Sequence, residues 1–334
     1  MDCNEIKYSV IIPIYNRRDE AKDLLESLDN QTVRNFEAIF VEDGSSVPCK
    51  DIVESYPFAK YYFKENEGRS IARNYGIERS SGEWLLFFDS DCVIPEDYFE
   101  KLEQCISENP EASCFGGPDA AHDSFTDTQK AINYSMTSFL TTGGIRGGKI
   151  SLEKFVPRTF NMGYKRDVYN KVGGFREMFS EDIEMSTRIR NAGFSISLFP
   201  DLYVYHKRRV DFKKFMRQVY VFGMSRITLK LLYPGSLKIV HSFPALFLIG
   251  VIGMIILAIF SSPYWLIPLV AYLLAIFITA VVKTRSIKIS TLAVPASIIQ
   301  LAGYGAGFLK AYFVKIVLGK GRDIQEEIIL RKGK

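Results

Sequence analysis

The feature that most constrains this chain is a long stretch without charge in its C-terminal third. No charged residue occurs between His241 and Lys283, and this gap holds two apolar runs, 239–260 and 264–282. A third uncharged run follows at 291–309. Each run has about twenty residues, the length of helix that crosses the hydrocarbon core of a bilayer. The sequence therefore predicts a multi-pass membrane protein with about three transmembrane helices.

The basic residues beside these runs predict their orientation. They stand before the first run and between the second and third: Arg226, Lys230, Lys238, Lys283, Arg285 and Lys288. Because cytoplasmic loops are rich in Lys and Arg, these positions and the N-terminal part of the chain are expected in the cytoplasm, at the inner (plasma) membrane. Lys310 and Lys315 follow the third run. That run therefore either crosses or re-enters and returns, and its length favours crossing.

Ahead of these runs, strand patterns alternate with helix patterns. The strand patterns, rich in β-branched and aromatic residues, cover 8–14, 36–41, 60–63, 83–89, 160–164, 195–199 and 202–205. The helix patterns cover 19–28, 51–56, 183–191 and the residues after Gly68. This alternation predicts an α/β fold with a mostly parallel, doubly wound sheet.

The composition narrows the class of protein further. The net charge of +4 gives no indication of a nucleic-acid partner. The five cysteines have no paired spacing, which indicates reduced thiols rather than a disulfide framework. Residues 1–7 are charged and lack the apolar core of a signal peptide. The N-terminal half is therefore expected in the cytosol.

Two acidic side chains stand where the strand over 83–89 should end. Asp89 and Asp91 follow the run Trp-Leu-Leu-Phe-Phe at alternate positions. Ligands of open α/β sheets bind at the carboxyl ends of the strands. Mg²⁺ usually takes one or two protein carboxylates together with substrate phosphates. The pair predicts a divalent cation beside a diphosphate, and a solvated turn is the alternative.

Other charged groups also follow strands. Glu42 and Asp43 precede Gly-Ser-Ser, which suits either the polar edge of a ligand or an acid-rich turn. Gly68 precedes a helix whose N-terminus can face an anion, with Arg69 and Arg73 one turn apart. A surface ion-pair helix is the alternative for these arginines.

Two further segments carry a pattern of their own. The glycine-rich stretch 143–149 predicts a mobile loop or lid. Residues 211–232 interleave basic with apolar side chains just before the first apolar run. This predicts a helix in the membrane interface, with contact to the first domain as the competing use.

Seven short motifs occur in one order: Val10–Asn16, Val41–Ser45, Asn66–Asn74, Asp89–Asp91, Asn161–Gly163, Ser180–Asp182 and Val204–His206. Together they make the chain similar to the family-2 glycosyltransferases of GT-A fold, in particular to the bacterial membrane-attached members. The resemblance covers residues 8–209. It implies a Rossmann-like GT-A domain at 1–210, an amphipathic interface helix region at 211–236, transmembrane helices at 237–318 and a polar tail at 319–334.

The resemblance implies a pocket for a nucleotide-diphosphate sugar, the donor. Asp43 would contact the base and ribose, and Pro13, Tyr15 and Glu42 would shape that pocket. Arg73 would lie near the base or the phosphates. The family often has Asp where Glu42 stands, which is a mild departure.

The resemblance also implies a metal site and a base. Asp89 would face the ribose or donor sugar, Asp91 would ligate Mg²⁺ or Mn²⁺, and His206 would complete the metal site. Asp182 aligns with the catalytic base of the inverting members, and Glu181 beside it is the second candidate. The alternative for Asp182 is a structural acid in the first turn of a helix that Ser180 caps.

The predicted function is inverting, metal-dependent sugar transfer to a lipid-linked (polyprenyl) acceptor, which the membrane segments suggest. The region 218–226 lacks the Gln-x-x-Arg-Trp motif of processive polysaccharide synthases, which argues against that activity. Three alternatives stay open: transfer to polyprenyl phosphate itself, a membrane-attached nucleotidyltransferase, and an inactive membrane scaffold. A nucleotidyltransferase would need a glycine-rich loop after the first strand, and the chain has Tyr-Asn-Arg-Arg there. Against a scaffold, every expected acidic position is filled.

Overall fold

The computed structural model describes residues 6–120, 125–143, 155–207 and 211–321, which form two compact units. The sheet unit contains residues 6–120 and 155–207. The helical unit contains residues 125–143 and 211–321. Residues 125–143 thus pack with the C-terminal helices, although the sequence placed them within the first domain.

The strands are β1 Tyr8–Ile14, β2 Phe36–Asp43, β3 Ala59–Lys64, β4 Trp84–Phe87, β5 Cys92–Val93, β6 Cys114–Gly116, β7 Asp119–Ala120, β8 Met162–Lys165, β9 Ile196–Leu198 and β10 Val204–His206. The helices are α1 Arg18–Asp29, α2 Lys50–Val53, α3 Arg69–Ile77, α4 Tyr98–Glu108, α5 Asp127–Thr137, α6 Phe139–Thr142, α7 Arg166–Val172, α8 Glu181–Asn191, α9 Phe212–Leu232, α10 Phe243–Phe260, α11 Ile267–Thr284 and α12 Ile287–Tyr312. Short 3₁₀ turns precede α10 and α11, and a π-helical turn follows α12.

Seven strands form the main sheet in the order β3-β2-β1-β4-β8-β6-β9. The first four are mutually parallel, β8 runs antiparallel to β4 and β6, and β9 is parallel to β6. Strands β2 and β4 are buried along their whole length, as expected for apolar strands covered on both faces. The predicted mostly parallel α/β sheet is confirmed.

The helices of the sheet unit bury their apolar faces against this sheet. Helix α1 buries Ala21, Leu24, Leu25 and Leu28, the residues that its periodicity placed on one face. They join one core cluster with residues of β1, β2 and β4. The parallel strands are therefore held rigidly, and their carboxyl ends meet at one edge.

A second, three-stranded sheet in the order β5-β10-β7 brings distant residues to that edge. β10 pairs antiparallel with β5, which places His206 opposite Cys92, the residue after Asp91. β10 also runs parallel to β7, with Val204 opposite Asp119. The small sheet thereby carries a histidine from the end of the sheet unit to the acidic motif after β4.

The helical unit is built around α12, which packs against α5, α9, α10 and α11. A Cβ atom on Gly223 of α9 would lie 2.0 Å from the Tyr304 carbonyl oxygen, and one on Gly307 of α12 would lie 1.9 Å from that of Tyr220. Glycine therefore lets the two backbones touch. Three helices are long and apolar enough to cross a membrane, Ile239–Phe260, Pro263–Thr284 and Ile287–Val317, as the sequence predicted.

Helix α9 uses its apolar face inside the helical unit. Its N-cap Asp211 accepts a hydrogen bond from the Lys214 amide at 2.7 Å, and Phe215 and Val219 pack with Ala296 of α12. Its location in a membrane interface stays a prediction. Of the predicted lid, Gly143 ends α6 and residues 144–149 lie outside the described residues, as do residues 322–334 of the predicted tail.

Candidate active site

The candidate site lies at the carboxyl edge of the main sheet. Asp89 and Asp91 follow β4, and the small sheet adds His206. Two further groups belong to helices: Arg73 lies on α3, and Asp182 lies in the first turn of α8. The structure brings these predicted residues together through a chain of close contacts.

His206 lies among carboxylates. Its Nε2 is 3.1 Å from Asp91 Oδ1 and 3.9 Å from Asp89 Oδ2, and its Nδ1 is 3.9 Å from Asp119 Oδ2. The Phe160 ring stacks on the imidazole with the ring centres 4.6 Å apart. Burial lowers the pKa of His206, but the charge of Asp91 and the Asp119 carboxylate raise it to about 9. The cluster therefore concentrates negative charge, and a positive group is held between its members.

The residues of this cluster fit a hard divalent cation. Asp91, Cys92 and His206 each offer one ligand atom, all within 4.8 Å of one another. Carboxylate oxygen suits Mg²⁺ or Mn²⁺, and an added imidazole nitrogen shifts the preference toward a transition metal such as Mn²⁺. Burial and the nearby charges of Asp91 and Asp89 raise the pKa of the Cys92 thiol well above its usual value, so the sulfur stays protonated. Asp91 and His206 are thus the suitable ligand pair, although their role in metal binding stays a prediction.

Arg73 is fully buried and bridges two acids. Its Nη2 lies 2.7 Å from Asp89 Oδ1, and its Nη1 lies 3.0 Å from Glu181 Oε1. Arg69 Nη2 lies 2.8 Å from the other oxygen of Glu181. Because both oxygens of Glu181 accept from guanidinium groups, Glu181 is a fixed anchor. The resemblance placed Arg73 near the base or phosphates of a nucleotide. In the structure its guanidinium forms an ion pair with Asp89 and fixes the position of that carboxylate.

Asp182 has a different environment from its neighbour Glu181. Its Oδ1 accepts from the Ile183 amide at 2.8 Å, and its Oδ2 lies 3.2 Å from Arg158 Nη1. The Asp182 side chain is 16% exposed, against 2% for Glu181. Burial raises the pKa of Asp182, but Arg158 and the Ile183 amide lower it below its usual value overall. Asp182 is therefore an ionised carboxylate that keeps part of its surface in solvent, whereas both oxygens of Glu181 lie against arginines. The role of either residue as a base stays a prediction.

The carboxylate of Asp43, a predicted donor-pocket residue, accepts hydrogen bonds from other groups of the protein. Its Oδ1 accepts from Lys64 Nζ at 2.9 Å and the Glu67 amide at 3.0 Å, and its Oδ2 accepts from the Gly68 amide at 2.9 Å. These bonds fix the loop that leads into α3. Tyr15 at the end of β1 is 53% exposed and offers the accessible ring of this region.

Glu42 has a similar role on the other side of β2. It is fully buried and accepts from the Ser45 hydroxyl and from the Cys49 amide, the latter at 2.9 Å. The Asn16 amide donates to Ser45 Oγ at 2.7 Å, so the loops after β1 and β2 are tied together. Pro13 is partly buried in β1. Glu42 thus positions the donor-pocket loops, and contact of these residues with a nucleotide stays a prediction.

Two residues of the site were not predicted from the sequence. Asp119 reaches His206 through the pairing of β7 with β10, and two-residue strands carry no periodic pattern. Arg158 reaches Asp182 from the turn that it forms with Asn161 before β8. Its only sequence signal is a single positive charge, so the contact was visible only in three dimensions.

Comparison with known proteins finds glycosyltransferases. Residues 9–173 match the model of Glycosyl transferase family 2. An uncharacterized glycosyltransferase of Haemophilus influenzae is 34% identical over 193 residues, which are 55% of this chain and 58% of that protein. Glycosyltransferase AglE of Haloferax volcanii is 28% identical over 261 residues, 72% of this chain and 80% of that protein.

The chain spans less than two thirds of the length of the first curated relatives: 58% of the Haemophilus protein and 16% of an uncharacterized glycosyltransferase of Rickettsia bellii. Among solved structures, the mannosyltransferase PcManGT of Pyrobaculum calidifontis, in complex with GDP-Man and Mn²⁺, is similar with a TM-score of 0.59 and 16% identity. This likeness covers 93% of this chain and 88% of that one, and it concerns the fold.

The chain contains a Glycosyl transferase family 2 domain over residues 9–173. This domain has a GT-A-like architecture, and long apolar helices follow it along the chain. The matched residues end before α8 and β10, so Asp182 and His206 lie beyond the family model and depend on the structural description given above.

Proposed function

We propose that this protein is an inverting, divalent-cation-dependent glycosyltransferase that moves a sugar from a nucleotide-diphosphate sugar to a lipid-linked acceptor in polysaccharide or glycoconjugate biosynthesis. The observation that carries the proposal is the cluster of Asp89, Asp91 and His206 at the sheet edge, joined through Arg73 to the turn that holds Asp182. A nucleoside diphosphate leaves as a multiply charged anion, and an acceptor hydroxyl needs a base. The cluster and Asp182 supply groups for both tasks.

The cation of this proposal is Mg²⁺ or Mn²⁺, held by Asp91 and His206. When bound, it neutralises the charge that develops on the leaving diphosphate. Arg73 keeps Asp89 oriented toward the donor, because its guanidinium is itself fixed by Glu181. A nucleotide sugar and Mn²⁺ are named for the solved mannosyltransferase of similar fold, and the proposal assigns the same two ligand classes here.

Asp182 acts as the base. It takes the proton of the acceptor hydroxyl while that oxygen forms a bond to the anomeric carbon and the bond from this carbon to the diphosphate breaks. Attack occurs on the face opposite the leaving group, so the configuration at the anomeric carbon inverts. Glu181 holds Arg69 and Arg73 throughout, and it keeps the first turn of α8 in place.

The acceptor of the proposal is the hydroxyl of a sugar already linked to polyprenyl diphosphate, which needs a base. Polyprenyl phosphate, whose oxygen is already ionised, is the alternative acceptor. Three helices are long and apolar enough to cross a membrane, which brings the protein to the surface where such lipids lie. The basic residues around the first two helices favour a cytoplasmic sheet unit at the inner membrane.

The proposal is tested with the protein in membrane vesicles that contain lipid-linked acceptors. A panel of nucleotide sugars is supplied, and free nucleoside diphosphate and labelled lipid are measured together. We expect one donor to give both products, loss of both with chelator or with Asp91→Asn, and recovery of the chelated enzyme with Mn²⁺ or Mg²⁺. Full activity in chelator would exclude the cation, and transfer only to a water-soluble acceptor would exclude the lipid.

A further inference from the structure

The helical unit contains a segment that is not one of its three long apolar helices. Helices α5 and α6 come from the middle of the chain, between β7 and β8. α5 begins with a capping box in which Thr126 accepts from the Gln129 amide. After Lys130 no charged residue occurs through Gly143. An uncharged stretch of this length is too short to cross a bilayer and is typical of a buried or a re-entrant segment.

Both ends of α5 lie at the charged ends of α11 and α12. Asp127 Oδ2 is 2.7 Å from Lys288 Nζ, and Lys283 Nζ donates to Thr137 Oγ1 at 3.1 Å. Lys283 and Lys288 flank the connection between two apolar helices, so they mark the level at which these helices would leave the hydrocarbon.

The contacts of the segment with α11 extend from Thr279, one turn before Lys283, to Tyr272. The Tyr134 hydroxyl is 2.5 Å from Thr279 Oγ1, and the Tyr272 hydroxyl donates to the Leu140 carbonyl at 2.7 Å. Tyr272 precedes Lys283 by eleven positions in α11. At about 1.5 Å per residue it lies about 16 Å below the charged level. This is about half of the hydrocarbon thickness of a bilayer.

At this depth the segment presents apolar side chains outward. Phe139 is 53% exposed and Leu140 is 36% exposed, and Leu274 of α11 is similarly exposed at 55%. The polar side chains nearby bond within the segment: Thr142 Oγ1 donates to the Ser138 carbonyl at 3.0 Å. Exposed apolar carbon with internally bonded polar groups is the arrangement that hydrocarbon requires and water disfavours.

We propose that residues 138–143 form a membrane-embedded element that reaches into the hydrocarbon beside α11, beyond the level marked by Lys283. Its partner is the acyl-chain region of the lipids, which covers Phe139 and Leu140. The inference rests on the membrane location given in the proposed function. It adds a fourth contact with the bilayer, made by a segment that the chain inserts between two strands of the sheet unit.

The test is the labelling of single cysteines by a polar, membrane-impermeant maleimide on purified protein reconstituted in lipid vesicles. Phe139→Cys probes the proposed element. Leu274→Cys probes α11 at nearly the same exposure within the protein, and Asp127→Cys probes the polar start of α5. Each is placed in a background with Cys3→Ser and Cys105→Ser, because the other three cysteines are buried.

We expect Asp127→Cys to be labelled in vesicles, and Phe139→Cys and Leu274→Cys to lose labelling until SDS dissolves the lipid. Labelling of Phe139→Cys like Asp127→Cys, with Leu274→Cys protected, would overturn this inference and leave the membrane location intact. Labelling of all three would overturn the membrane location as well. If the Phe139 variant fails to fold, Leu140→Cys gives the same reading.

Discussion

The two edges of the main sheet both contain a buried carboxylate, but its surroundings differ. At the amino edge, Glu37 is almost fully buried and accepts from Ser9 Oγ at 2.7 Å, the Ser81 amide at 2.6 Å and Lys60 Nζ at 2.7 Å. Burial raises the pKa of Glu37, but Lys60 and the bonds from Ser81 and Ser9 lower it to about 2. A single charge is satisfied there by fixed donors of the fold.

At the carboxyl edge, several acids gather close together. Asp89, Asp91 and Asp119 surround one imidazole, and Asp182 keeps part of its surface in solvent. Acids this close together raise one another's pKa, and the imidazole between them opposes that effect. The comparison teaches that a carboxylate is bound by donors of the fold at one edge, while at the other edge carboxylates form a cluster where the proposed chemistry would take place.

The largest expected effect is a loss of transfer rate at the carboxyl edge that is not accompanied by a comparable loss of stability. Asp182→Asn keeps the shape, and its one amide oxygen can still accept from the Ile183 amide, but it loses the acceptor for Arg158 and cannot take the proton. We expect transfer to fall about 10²–10⁴-fold with donor affinity near normal. Purified variant and wild type are compared in a transfer assay and a donor titration, with Glu181→Gln run beside them. Normal transfer by Asp182→Asn together with an inactive Glu181→Gln would move the base one residue back.

The next effect concerns the guanidinium that joins the acids. Arg73→Met leaves Glu181 and Asp89 without their shared partner, and we expect the free energy of unfolding to fall by about 3–5 kcal/mol. Arg73→Lys restores charge but cannot bridge both carboxylates, so it should recover stability better than transfer. Unfolding of the detergent-solubilised protein and transfer are measured on both variants. Full transfer by Arg73→Lys would show that the bridge is dispensable for chemistry.

At the amino edge the expected effect is on stability alone. Glu37→Leu strands the donors of Ser9 and Ser81, which we expect to cost about 1–3 kcal/mol of unfolding free energy. Transfer per folded molecule should stay normal, because Glu37 lies at the edge opposite the site. Thermal unfolding beside the transfer assay checks both. If Glu37→Leu lost transfer without losing stability, the amino edge would not differ from the carboxyl edge in the way proposed.

The pH dependence follows from the lowered pKa of Glu37. The folded protein binds fewer protons there than the unfolded chain, so this stabilisation is complete above the ordinary value of 4.5 and is lost as the pH falls toward 2. The difference in unfolding temperature between wild type and Glu37→Leu should therefore shrink as the pH is lowered from 7 to about 3. A constant difference over this range would contradict the assignment.

The smallest effect is expected at the surface. Glu54 lies 3.7 Å from Lys50 in an exposed pair. Glu54→Gln should change the unfolding free energy by about 0–1 kcal/mol and leave transfer unchanged. This variant is the matched control for Glu37→Leu, since both remove one carboxylate that a lysine partners. If Glu54→Gln lowered the unfolding free energy more than Glu37→Leu does, burial of the carboxylate would not determine the size of the loss.

Strong patterns made much of the fold predictable. β1 has the predicted bounds, because an apolar run bounded by turn residues fits a central parallel strand. Asp91 and His206 were predicted together from their motifs, and the structure places them in contact. By contrast, the ion pairs of Arg73 with Asp89 and Glu181 were not predicted. The partners of a buried guanidinium depend on how the chain packs, and the spacing of residues in the sequence does not encode that packing.

The placement of α5 was also missed. The sequence predicted no helix over these residues and assigned them to the first domain, and the attachment of α5 to α11 depends on side-chain contacts such as that of Tyr134 with Thr279. Such contacts join residues far apart in the chain, so local periodicity carries no information about them.

The pairing of β10 with β5 sets an order for assembly during synthesis. β1, β2 and β3 can pair early, because each lies near its neighbour in the chain, and β4 joins β1 after residues 84–87 have emerged. His206 emerges long after Asp91, and joining them closes the loop that contains β6, β8 and α8. A nascent chain that ends before β10 has most of its main sheet but lacks His206 beside Asp91. The acidic cluster therefore gains its histidine only when the sheet unit is nearly finished, just before the apolar helices are made.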